Sequence, residues 1–292
     1  MNEIAAFEAA IPAMIVGETL DNAPAPLGLG EPFALLGGYR LGPDGIPFRV
    51  MHEHQPGFLR WVRESCQACL AAERPWFRGR PALLTGTSGA GRTHAARWLA
   101  RVVGVPFVIL NLTDPLIATN LGASRRVGEA LWASPVTVAM AAARCANPVV
   151  LVVGAEEASG DAVSGLVSMI DPEAGACWRE DQLNTVVDFG EVTWLIQAEQ
   201  ASRLPASLRP LVTQVWFERP PTGSETVFAL SILLEAAGDL AIDLTDPLYS
   251  WRRISAQLFR QPRHGAPLYA AMIDALAALR RDAIGGDDHL PF

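Results

Sequence analysis

The clearest chemistry in this sequence lies in one run, Gly86-Thr87-Ser88-Gly89-Ala90-Gly91-Arg92-Thr93, followed by His94. The pattern is GxxxxG, then a cation, then a hydroxyl. Glycines at 86, 89 and 91 let the backbone turn tightly and approach a ligand. Successive N–H groups then converge as an anion nest. A helix starting near Arg92 adds its positive end and its unpaired donors. Such a cradle suits the polyphosphate of ATP or ADP. Thr87, Ser88, Ala90 and His94 complete the expected nucleotide-binding set. Thr93 is the hydroxyl expected to meet a Mg²⁺ ion carried by the nucleotide. The usual cation of this motif is Lys. Arg92 is larger and planar, and it either holds the β-phosphate in a distorted pose or fills part of the site itself. A glycine turn that merely joins a strand to a helix is the plain alternative, and the flanking pattern weighs against it.

That flanking pattern supplies the elements that must position the loop. Short apolar runs at 82–85, 107–112, 149–153, 192–197 and 213–217 alternate with helical stretches at about 56–72, 92–103, 135–146 and 161–170. This alternation predicts an α/β fold with a parallel sheet covered by helices on both faces. The helix after the loop presents Ala95, Ala96, Leu99, Val102 and Val103 at the period needed to pack on the sheet. After Pro220-Pro221 the strands stop. Residues 225–237, 248–259 and 266–284 read as helices. The expected domains are therefore an arm at 1–48, an α/β nucleotide-binding domain at 49–220, a small helical domain at 221–285 and a tail at 286–292. The arm is rich in Pro, Gly and Ala and reads as extended, with a short helix at 4–15. Residues 39–50 read as two short strands around a Pro-Asp-Gly turn.

Composition narrows the function classes. The 292 residues carry a net charge of −8, which argues against a nucleic-acid surface as the main activity. All 23 residues of the Lys/Arg class are Arg, so no Lys amine is present for Schiff-base chemistry. Four cysteines do not make a disulfide scaffold. Cys66 and Cys69 form a lone CxxC inside a helical pattern, with no second ligand pair at zinc spacing. The first 20 residues lack a basic start, and no apolar run approaches the ~20 residues of a membrane span. These features predict a cytoplasmic protein with no membrane partner.

Further stretches follow the phosphate loop in order: Val105-Pro-Phe-Val-Ile-Leu-Asn-Leu112, Asn147-Pro-Val-Val-Leu-Val-Val153, Leu166-Val-Ser-Met-Ile-Asp-Pro-Glu173, Asp188-Phe-Gly-Glu-Val-Thr-Trp-Leu-Ile196 and Leu204-Pro-Ala-Ser-Leu208. With them, the chain from about 58 to 285 resembles the AAA+ ATPase module of Lon-type proteases. The resemblance implies a P-loop NTPase fold with a five-stranded parallel sheet and a helical lid, assembled as a hexameric ring with ATP at subunit interfaces or working beside a protein partner. It also places a substrate-gripping pore loop at 127–135, where Trp132 is the candidate aromatic. The family's Ser-Lys peptidase unit would follow the lid. The chain stops there and has no Lys, which predicts no proteolysis by it.

The departures from the family fall on catalysis. By register, the Walker B Asp and Glu correspond to Val153 and Gly154. Glu156 and Glu157 follow closely and are the weak candidates for that role, against a solvated acidic turn. The polar residue ending the fourth strand corresponds to Glu199, where a carboxylate would repel a γ-phosphate. The arginine-finger position falls at Leu211, with Arg209 nearby, and the lid arginine falls near Pro267. A missing general base costs roughly 10²–10⁴-fold, and a missing finger roughly 10³–10⁵-fold. Three readings follow: a nucleotide-binding module impaired in hydrolysis, a working ATPase that remodels proteins through Glu156 or Glu157 and Arg209, or a nucleotide-free scaffold with Arg92 in the phosphate site.

Overall fold

A computed structural model describes residues 11–21, 23–41, 55–121, 133–219, 225–260 and 268–285. The chain forms two compact units, Met1–Arg219 and Pro220–Phe292. Trp132, most of the expected pore loop and Pro267 lie outside the described residues.

In the first unit the described elements run β1 (Ala13–Ile15), β2 (Gly17–Thr19), β3 (Pro32–Ala34), α1 (Pro56–Ala71), β4 (Ala82–Gly86), α2 (Arg92–Val103), β5 (Phe107–Asn111), α3 (Pro115–Leu121), α4 (Pro135–Ala143), β6 (Val149–Val153), α5 (Gly160–Ile170), α6 (Pro172–Gly175), β7 (Trp178–Glu180), β8 (Thr185–Val187), β9 (Thr193–Ala198) and β10 (Thr213–Phe217). The central sheet has five parallel strands in the order β10-β4-β9-β6-β5. Parallel strands need crossovers, and the helices that make them cover both faces. The central strands therefore read as continuous apolar runs: Val149, Val150, Leu151 and Val152 are all fully buried.

Alternation along each strand divides the core into two layers. Leu84, Val149, Leu151 and Leu195 pack with Ala95, Ala96 and Leu99 of α2 and with Phe58 and Val62 of α1. Leu83, Val150, Val152 and Ile196 face the opposite layer, with Met140 of α4 and Leu166 of α5. This division decides which side chains at the strand ends can reach the phosphate loop.

The segment expected to be an extended arm is, over its described part, built into the first unit. β1 pairs with β3 and β2 pairs with β8, both antiparallel. Val16, Leu29, Phe33 and Leu35 are buried in the main core. Residues 13–15 form a strand instead of the end of a helix, and Gly38–Arg40 forms a 3₁₀ turn where a strand was expected. Asn147, fully buried, holds this segment in place. Its Oδ1 accepts from Leu36 N–H at 2.9 Å, and its Nδ2 donates to the carbonyls of Leu36 at 2.9 Å and Phe77 at 2.8 Å. Arg144 adds a bond to the Gly28 carbonyl at 3.0 Å, an ion pair with Glu31 at 2.6 Å and a cation–π contact 4.5 Å above Phe33.

The second unit contains α7 (Glu225–Asp239), α8 (Trp251–Arg260) and α9 (Leu268–Gly285). They bury Ile232, Leu233, Ala236, Ile254, Met272 and Leu276 against one another. No helix among the described residues is long and apolar enough to cross a membrane.

Candidate functional site

The loop between β4 and α2 needs backbone that only glycine adopts freely. Gly86, Gly89 and Gly91 take φ of 144°, 81° and 89°. A Cβ on Gly86 would lie 2.3 Å from the Phe217 carbonyl oxygen, so that glycine also permits close approach to β10. At Gly89 a Cβ would meet nothing within 4 Å, so there the positive φ and not crowding calls for glycine. The turns of such a cradle are formed, and α2 starts behind them.

Several contacts fix the cradle. Ala90 N–H bonds the Thr87 carbonyl at 3.2 Å, and Gly86 N–H bonds the Glu199 carbonyl at 3.3 Å. The Arg219 guanidinium reaches the Ser88 carbonyl at 3.4 Å. Gln55, 1% exposed, ties the loop to the end of β10. Its Nε2 donates to the carbonyls of Ala90 at 3.1 Å and Glu218 at 2.6 Å, and its Oε1 accepts from Glu218 N–H at 3.1 Å.

Arg92 is buried and donates through Nη1 to the Ala198 carbonyl at the end of β9. Burial pushes its guanidinium pKa down, against the opposing fields of Glu199 and Glu156. Thr93 donates through Oγ1 to Gln197 Oε1 at 3.1 Å. His94 is buried in the first turn of α2.

Strand alternation determines the rest. Gln197 lies two residues beyond Leu195, which faces α2, and its contact with Thr93 agrees with that register. Val153 packs on the same layer from the end of β6. Asn111 ends the neighbouring β5, and its Oδ1 accepts from Thr113 N–H at 3.1 Å and Thr113 Oγ1 at 2.8 Å. On the β9 side of the loop, the ends of β9, β6 and β5 carry Gln197, Val153 and Asn111, none of them anionic. Gly154 follows with φ 76°, and a Cβ there would meet Thr113 Cγ2 at 2.5 Å.

The candidate acids are engaged in other contacts. Glu156 Oε1 accepts from the N–H groups of Glu199 at 3.2 Å and Gln200 at 3.5 Å. Glu157 is exposed, and its N–H closes a turn on the Gly154 carbonyl at 3.1 Å. Glu199 is exposed and lies 3.6 Å from Arg203. Arg209 is exposed and bonds within its own turn, to the carbonyls of Leu204 at 2.9 Å and Ser202 at 2.6 Å. Register from the family pointed to Glu199 as the polar residue of β9. The side chain that meets Thr93 is Gln197, which the alternation from Leu195 would have found.

Cys66 and Cys69 are buried on α1, and burial pushes the Cys66 thiol up to about 11. Among the described residues no group of three or more His, Cys, Asp or Glu side chains is arranged to hold a metal ion.

No protein-family model matches the chain. Curated relatives do. It is 24% identical to the Lon protease of Mycolicibacterium smegmatis over 193 residues, which is 63% of this chain and 25% of that one. It is 25% identical to Lon protease 1 of Bacillus subtilis strain 168 over 167 residues, 55% of this chain and 21% of that one. The Lon protease of Frankia alni is 26% identical over 213 residues, 71% of this chain and 24% of the relative. Over these residues the chain is similar to the AAA+ part of Lon proteases. It spans about a quarter or less of the length of these Lon proteases. A mutant form of Thermotoga maritima RuvB aligns with a TM-score of 0.40 at 12% identity, over 77% of this chain and 69% of that one.

Proposed function

We propose that this Lon-type AAA+ module binds ATP or ADP at Gly86–Thr93 and hydrolyses it poorly or not at all, serving as a regulatory or structural nucleotide-binding subunit. The observation that carries the reading is the partner of Thr93. Where a hydrolytic site needs acids to hold the metal and orient water, Thr93 meets the neutral amide of Gln197. Glu156 is engaged with two backbone amides, and withdrawing it would leave both donors without that partner. Arg209 is likewise engaged in its own turn. The cradle's geometry depends on none of these groups, so binding survives their loss.

Residues 221–285 would act as a lid, and the module would work in the cytoplasm, within an AAA+ oligomer or beside an active protein partner. The net charge of −8 favours a protein over a nucleic-acid partner. Calorimetric titration with ADP and ATP, repeated on Gly91→Val, tests the reading. Micromolar binding lost in the variant is expected, because Val tolerates φ near 89° poorly. Equal binding by both proteins would remove the loop from the account.

The bond from Arg92 to the Ala198 carbonyl supports a second reading, a scaffold with the guanidinium standing in the phosphate site. Absence of nucleotide heat in the native protein, with binding gained in Arg92→Lys, would favour it.

A further inference from the structure

We propose that the site takes its nucleotide without a divalent cation, holding a metal-free nucleoside polyphosphate by the backbone cradle and the Arg92 guanidinium. The inference rests on the nucleotide-binding reading above. A Mg²⁺ ion in such a site keeps several waters and is held by phosphate oxygens, one hydroxyl and one or two carboxylates. The hydroxyl is present at Thr93, but the donor set around it does not fit the ion.

Beyond Thr93, on the β9 side of the loop, stand the ends of β9, β6 and β5. β9 supplies Gln197, whose neutral amide accepts the Thr93 hydroxyl hydrogen at 3.1 Å. β6 supplies Val153, an apolar side chain packed on the same layer as α2. β5 supplies Asn111, whose carbonyl oxygen takes both Thr113 donors. The next residue along from Val153 is Gly154, which has no side chain and whose φ of 76° is one that L side chains rarely adopt.

Two acids lie near enough to act on Arg92 through their fields, Glu156 and Glu199. Glu156 bonds the amides of Glu199 and Gln200. Moving it onto a metal would break both bonds, and each amide would need a new partner. Glu199 lies 51% exposed beside Arg203. Water and salt screen such an exposed charge. A hard dication thus finds no anionic side chain at the ends of β9, β6 and β5. The polyphosphate finds a fixed guanidinium, which suits phosphate geometry, and a nest of glycine backbone.

Titration of the full chain with ADP, first in EDTA and then in excess Mg²⁺, tests this. The two Kd values are expected to agree within about threefold. Tightening by Mg²⁺ of about tenfold or more overturns the inference and leaves the nucleotide-binding reading standing. No binding in either buffer overturns the reading itself, and the inference with it. Gln197→Glu places a carboxylate against Thr93, and Val153→Asp places one at the end of β6. Either variant is expected to acquire a Mg²⁺ dependence of about tenfold, with Val153→Asn as the uncharged control. If both folded variants bind as indifferently to Mg²⁺ as the native protein, the missing carboxylate is not the reason and the inference fails.

Discussion

Replacing Gln55 by Leu keeps a side chain of similar bulk in a pocket where Gln55 is 1% exposed, and removes three hydrogen bonds at once. Each such bond is worth about 0.5–1.5 kcal/mol net, so the α/β unit should lose roughly 2–4 kcal/mol. The Ala90 carbonyl and both backbone groups of Glu218 would also lose their shared partner. With a urea m-value of roughly 2–3 kcal/mol/M, the midpoint of that unit should fall by about 1 M. Circular dichroism against urea reads the shift. The helical unit buries its own core and should unfold at its native midpoint. Because the lost bond to Ala90 frees one wall of the cradle, nucleotide affinity should also drop by about tenfold, roughly 1.4 kcal/mol. A midpoint shift below about 0.2 M would mean that Gln55 does not hold the loop to β10.

Other variants probe different contacts. Asn147→Ala should destabilise the first unit by about 2–4 kcal/mol in the same urea assay, since it removes three hydrogen bonds from a fully buried amide to the backbone of Leu36 and Phe77. Glu156→Gln should leave nucleotide affinity and any residual turnover unchanged; a turnover loss of about 10² or more would make Glu156 a general base after all. With its thiol pushed up to about 11, Cys66 should stay unmodified by iodoacetamide at pH 8, where the exposed Cys177 reacts first. Mass spectrometry of the labelled peptides reads the order, and labelling of Cys66 should rise only as the pH approaches 11.

The sheet was legible in the sequence because buried parallel strands are apolar throughout and are punctuated by helices of a different period. The five runs from Ala82 to Phe217 coincide with β4, β5, β6, β9 and β10 to within a residue at either end. The N-terminal segment was not legible. Its attachment comes from distant partners, such as Asn147 to Leu36 and Arg144 to Gly28 and Glu31. Its own Pro, Gly and Ala composition only suggests extended chain. The strands β7 and β8 are three residues each, too short for a period to register.

At the site, the glycine spacing announced the cradle, because positive φ leaves a residue signature. What surrounds Thr93 did not announce itself. Gln197 was hidden by a family register that pointed two residues on, to Glu199. Gln55 was hidden because a buried amide between two backbones has no sequence pattern of its own.

A cradle that holds nucleotide beside strand ends unable to turn it over should bind without hydrolysing. With binding and ATP hydrolysis measured on one preparation, ADP and ATP should bind saturably while phosphate is released no faster than in buffer alone. Turnover above background that Gly91→Val abolishes would contradict this reading.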